Sequence, residues 1–83
     1  MTWNFLIFCM IELDVKKIGR RIKELRIEFE MTQEQLAGLV GVASNTITQY
    51  EKGTSKMGVD VLANLAVVLK TKTDYLLCLT DNY

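Results

Sequence analysis

From Thr32 to Gly53 the chain reads TQEQLAGLVGVASNTITQYEKG. Thr32 followed three residues later by Gln35 has the form of a capping box, in which each side chain takes the other residue's backbone amide. A short helix is expected to follow, with Leu36, Ala37, Leu39 and Val40 turned mostly inward. Gly41 should end it, because glycine alone takes the left-handed conformation without steric cost. Val42 then offers an apolar contact that locks the turn. A second helix is expected from about Ser44 to Lys52, with Ile47 and Tyr50 facing in and Gly53 closing it. Its other positions are Ser44, Asn45, Thr46, Thr48 and Gln49, none of them a strong helix former.

Two short helices joined through a glycine turn cross steeply, so their axes approach closely. Ala37 is small enough to permit that approach, and Ile47 fills the space opposite. The second helix is thereby held out from the body with a polar face toward solvent. Asn and Gln side chains can pair with adenine in the major groove, while Ser and Thr take several partners. A phosphate could sit at the N-terminus of the preceding helix, where Gln33 adds a donor. A merely solvated face is the alternative, and the glycine turn with Ala37 and Ile47 weighs against it.

On the N-terminal side, Val15, Ile18, Ile22, Leu25 and Phe29 recur every three or four residues, the stripe of a helix from an Asp14 cap to about Phe29. Lys16, Lys17, Arg20, Arg21, Lys23 and Arg26 crowd the same stretch and are expected on its opposite, largely solvated face, where Glu24 and Glu28 can pair with neighbours. On the C-terminal side, residues 54–58 read as a loop. A fourth helix carrying Val59, Leu62, Leu65, Ala66 and Leu69 follows, then a short one with Tyr75, Leu76, Leu77 and Leu79. There is no proline, repeat or low-complexity run. The expected fold class is all-α, a compact five-helix bundle.

At 83 residues the chain has room for one domain with a modest core. Ten cations balance ten carboxylates, which counts mildly against nucleic acid, yet a duplex feels the field of one face and not the total. With no histidine, and with Cys9 and Cys78 far apart, no metal site and no cofactor is expected. Free thiols in a cytoplasmic protein are the expectation, with a disulfide between the termini as the alternative. Residues 1–14 form an apolar extension ahead of a domain at 15–83. Its apolar run, Phe5 to Ile11, is far shorter than the roughly 20 residues that cross a bilayer, and it lacks the basic flank and cleavage site of a signal. No membrane partner is expected. An extra packed element, a dimerisation patch and an upstream extension of a start at Met10 all stay open for it. No nucleophile with a nearby base and no phosphate-binding glycine loop is present, so an enzyme is not expected, and no small-molecule site is identified.

Gln33, Ala37, Gly41, Val42, Ile47, Tyr50, Glu51 and Gly53 together resemble the phage repressor and Cro class of helix-turn-helix domains, the XRE-like family, over roughly Val15 to Asn82. The resemblance implies a lambda-repressor-like bundle with the helix at 44–52 in the major groove of duplex DNA. It places Ser44, Asn45, Thr48 and Gln49 against bases, and Thr32, Gln33, Lys52 and Lys56 against phosphates. It also implies an ion pair between Arg26 and Glu51 that orients the recognition helix, and a closing helix near Asp74–Asp81. Three departures stand out: Ala43 where a hydroxyl cap is frequent, Met57-Gly58 for a Pro-Ser pair, and Lys70-Thr71-Lys72 for Gly-Val-Ser. The implied function is sequence-specific DNA binding by a transcriptional regulator, a repressor occupying an operator. A homodimer would use the last helix or the apolar N-terminus. A protein-interaction module or antitoxin on the same fold is the alternative, favoured by the zero net charge and the apolar first residues.

Overall fold

Local chemistry starts the first two helices as the sequence leads one to expect. In the computed structural model, which describes residues 14–79, the Asp14 carboxylate accepts the amides of Lys16 and Lys17 at 3.1 Å each and opens α1, Val15–Glu28. The reciprocal capping box of Thr32 and Gln35, with bonds of 3.0 and 2.9 Å, opens α2, Gln33–Val40. Then come α3, Ser44–Lys52, α4, Val59–Val68, and α5, Thr73–Leu76. The described residues thus form an all-α bundle of five helices. No described helix is long and apolar enough to cross a membrane. The apolar run at 5–11, Cys9, and residues 80–81 of the expected closing helix lie outside the described residues.

The three departures coincide with three missing caps. Ala43, Gly58 and Lys72 are the N-cap residues of α3, α4 and α5, and none of them makes a side-chain capping bond. At the C-termini, Gly41 (φ 87°) and Gly53 (φ 72°) end α2 and α3 in the left-handed conformation, as expected. The other three helices are followed by left-handed residues that the sequence did not announce: Glu30 (φ 57°), Lys70 (φ 53°) and Cys78 (φ 64°). Each is held by a bond across the turn, Met31 N–H to Arg26 O, Thr71 N–H to Ala66 O and Leu79 N–H to Asp74 O, at 2.9–3.0 Å. Those bonds satisfy helix-end carbonyls and offset the strain of a side chain in this region.

The core is one cluster: Ile18, Ile22 and Leu25 of α1, Leu36, Ala37 and Val40 of α2, Ile47 and Tyr50 of α3, then Leu65, Ala66, Leu69 and Leu76. Each large aliphatic side chain buried here contributes about 1.5–3 kcal/mol. Four residues expected inward are exposed instead. Leu39 is 63% exposed, because the stripe set by Leu36, Ala37 and Val40 leaves it roughly 100° off the buried direction. Val59, at the first position of α4, is 84% exposed, and Phe29 and Leu79 at the ends of their segments are also exposed. A correction of opposite sign concerns Arg21. It belongs to no solvated face but is 9% exposed, its Nη1 donating to Tyr75 O at 2.7 Å and its guanidinium 4.2 Å from the Tyr75 ring centroid. Arg21 and Arg26 flank the apolar stripe of α1 on either side, where long side chains can reach neighbouring helices.

The helices α1 and α3 meet backbone to backbone. A Cβ on Gly19 would clash with the carbonyl oxygens of Tyr50 and Glu51, the latter at 2.6 Å, and one on Gly53 would lie 2.7 Å from Lys16 Cα. Gly38, in contrast, faces open space. Two alanine substitutions should therefore have opposite signs. Gly19→Ala is expected to cost about 2–3 kcal/mol through overpacking against rigid backbone, despite the helix propensity gained. Gly38→Ala should stabilise by up to about 1 kcal/mol from that propensity alone. Urea denaturation of both variants measures this, and equal effects would contradict the close approach. Lys72→Ser should add about 1 kcal/mol by capping α5, read as a rise in the same urea midpoint.

Candidate nucleic-acid interface

Presentation of α3 begins with the turn that precedes it. The Gly41 and Val42 amides both bond Ala37 O, at 2.8 and 3.0 Å, so the chain reverses tightly after α2. Ile47, fully buried, then fixes the inner face of α3 against Leu36, Ala37 and the α1 stripe in the common core. From the other side, Gly19 and Gly53 let α1 approach it. The helix is clamped between two neighbours and can present only its remaining face.

A polar chain behind that face ties three helices together. Glu51 receives Arg26 Nε at 2.6 Å and Nη2 at 3.2 Å, a two-pronged ion pair whose side chains are 3% and 12% exposed. Arg26 Nη1 also donates to Met31 O at 2.7 Å, which anchors the connection between α1 and α2. Gln33 Nε2 donates to Glu51 Oε1 at 3.0 Å, and Thr48 Oγ1 lies 2.7 Å from Gln33 Oε1. The ion pair implied by the family resemblance is therefore present, buried and bidentate, the geometry in which such pairs are strongest. The bonds of Gln33 to Glu51 and Thr48 were not foreseen. Their one sequence signal was that Gln33 and Thr48 belong to a single motif.

The sequence-predicted contact residues fall into two groups. Ser44, Asn45 and Gln49 on α3 are exposed, as are Thr32, Lys52 and Lys56. The amides of Asn45 and Gln49 make no hydrogen bond within the described residues and stand one helical turn apart on one face. Gln33 and Thr48 are half-buried and bonded to each other. At the start of α2, the capping box occupies the amides of Thr32 and Gln35, which leaves those of Gln33 and Glu34 for an anion. At the start of α3, no side chain covers the first amides. Helix N-termini of this kind attract phosphate. An open depression of about 580 Å³ beside the end of α1 and α2, lined by Phe29, Met31, Glu34 and Leu39 among others, includes none of the candidate residues.

The helix-turn-helix family model matches residues 22–76, more than half of the chain. The chain belongs to this family. It is 36% identical over 63 residues to the uncharacterized HTH-type transcriptional regulator YobD of Bacillus subtilis, covering 76% of this chain and 56% of the relative. Among solved structures it resembles the restriction-modification controller protein C.AhdI of Aeromonas hydrophila, with TM-score 0.72 and 30% identity over 76% of this chain and 96% of that one. It also resembles the P22 c2 repressor, solved in complex with a synthetic operator, with TM-score 0.71 and 32% identity over 72% and 91% of the two chains. This chain spans about half the length, or less, of most of the curated relatives it matches, and 76% of an uncharacterized HTH-type transcriptional regulator of Archaeoglobus fulgidus. As a helix-turn-helix protein of the repressor and Cro type it carries a DNA-binding module of the transcriptional-regulator class.

Removing Glu51 strands the Arg26 charge and unhooks Gln33. Glu51→Ala should cost about 3–5 kcal/mol, the usual penalty for breaking one side of a buried pair. Thermal unfolding with and without the substitution measures it, and a cost below about 1 kcal/mol would show that the pair does not hold α3.

Proposed function

We propose that this chain is a sequence-specific transcriptional repressor that occupies an operator with α3 in the major groove. One observation carries the proposal: the exposed amides of Asn45 and Gln49 project from a helix whose other sides are fixed by Ile47, Gly19 and the Arg26–Glu51 pair. A rigid helix with free amides suits bidentate recognition of adenine. Ser44 and Thr48 complete the base-facing set. Thr32, Gln33, Lys52 and Lys56 flank it, the two lysines neutralising phosphates and the other two hydrogen-bonding them, contacts that set register without reading sequence. The likeness to the P22 c2 repressor, solved in complex with a synthetic operator, supports operator binding. A palindromic operator calls for a homodimer, with half-sites about 34 Å apart. In the second reading, an antitoxin or partner-binding module, the same fold grips a protein. The exposed apolar residues Leu39, Val59 and Val67 favour it.

Fluorescence anisotropy with a labelled random-sequence duplex tests the central point. With Lys52, Lys56 and one or two cations of α1 neutralising three or four phosphates, the log–log salt slope should be about −3 per chain, and Lys52→Ala with Lys56→Ala should flatten it by about 2. Asn45→Ala with Gln49→Ala should remove preference for a selected operator by roughly a hundredfold while leaving binding to random duplex. No binding at low salt by the folded chain would reject the DNA function in favour of a protein partner.

A further inference from the structure

The bonds behind α3 have a direction, and it reaches the face proposed to read bases. The Glu51 carboxylate can only accept. Both its oxygens face donors, Arg26 Nε and Nη2 on one side and Gln33 Nε2 on the other. Rotating the Gln33 amide by half a turn would set its oxygen 3.0 Å from Glu51 Oε1, acceptor against acceptor with no proton between them. The ion pair therefore fixes which way Gln33 points. Its Oε1 is left toward Thr48, and the 2.7 Å contact between the two oxygens requires the Thr48 hydroxyl to donate. The hydroxyl's second reachable acceptor, Ser44 O, lies at 3.2 Å, beyond the usual O–H···O range, and holds the proton far less firmly than Gln33 does. A hydroxyl has one proton and two lone pairs, so the Thr48 proton is committed inward.

We infer that Gln33 is a positioning residue that determines which base edges Thr48 reads, by holding the Thr48 hydroxyl as an acceptor. This rests on the proposed docking of α3 in the major groove. With its proton turned to Gln33, Thr48 offers DNA only an oxygen lone pair and a methyl group. It can accept from the exocyclic amino groups of adenine or cytosine, or pack against a thymine methyl. It has nothing to donate to guanine O6 and N7 or to thymine O4. Specificity at one base pair is thus set by a chain of polarity from Arg26 through Glu51 and Gln33 to Thr48.

The test compares the sequences selected from a random duplex pool by the wild-type chain, Gln33→Met, Thr48→Val and the double variant, each checked for helical content and thermal midpoint. Methionine keeps the length of the glutamine and removes its amide. The expected result is that Gln33→Met changes relative base preference in the column that Thr48→Val changes. There it admits acceptor edges by about tenfold, the scale of one base contact, and in the double variant it adds nothing to the effect of Thr48→Val. A uniform loss of affinity across all sequences, or a change confined to columns that Thr48→Val leaves alone, overturns the inference and leaves Gln33 as a phosphate contact or a packing residue. Should Gln33→Met fail to fold, the wild-type chain decides on modified operators. Replacing the purine N7 by CH in the Thr48 column should change affinity less than twofold, whereas a tenfold loss that disappears in Thr48→Val overturns the assignment. A wild-type chain that selects no duplex at all rejects the DNA-binding function first, and this inference with it.

Discussion

Arg26 and Glu51 are 25 residues apart in the chain, and their ion pair is the joint on which the arrangement of α1, α2 and α3 depends. Two charges so shielded from water are tolerable only when each finds enough partners. Here each does: Arg26 reaches both carboxylate oxygens and Met31 O, and Glu51 also receives Gln33. The bonds therefore enter α2 at its first residue and the α1–α2 connection at Met31. A hydrophobic contact in that place would be as adhesive but without direction. The charged pair also fixes rotation, and a recognition helix has to be fixed in rotation as well as position.

The close approach of α1 and α3 is the steric counterpart of this joint. Gly19 and Gly53 remove side chains where the two backbones touch, and the shortened distance lets the Arg26 and Glu51 side chains meet. Arg21 plays a comparable part at the other edge of α1, where its bond to Tyr75 O and its place over the Tyr75 ring attach α5. Two arginines on one helix thus serve opposite neighbours, and the basic character of α1 owes as much to packing as to solvation.

Firm helix starts lie in the first part of the described chain and loose ones in the rest. The helices that set up the motif start with side-chain caps at Asp14 and Thr32, whereas α3, α4 and α5 start without them. Stability in the second half comes instead from Leu65, Ala66, Leu69 and Leu76 in the shared core. The absence of a cap on α3 leaves its first amides for an external acceptor, in keeping with a helix whose N-terminus points at a ligand.

Local chemistry alone determined the helix starts at Asp14 and Thr32, the left-handed ends at Gly41 and Gly53, and the inward positions of Ile18, Ile22, Leu36, Ile47 and Tyr50. Each depends on residues within a few positions of one another, through capping, glycine conformation or helical period. The motif residues Gln33, Ala37, Gly41 and Glu51 carried the family as well, and with it the pairing of Glu51 with Arg26. Tertiary structure decided the rest. Leu39, Val59 and Phe29 fit the apolar pattern but stay exposed because no other described helix covers them. Arg21 looked solvated and is buried because α5 folds over it. Gly19 carries no signal in the local pattern and is where two backbones meet. The direction of the bond between Thr48 and Gln33 depends on a carboxylate from another turn of α3 and a guanidinium from α1, groups that come together only when the chain is folded.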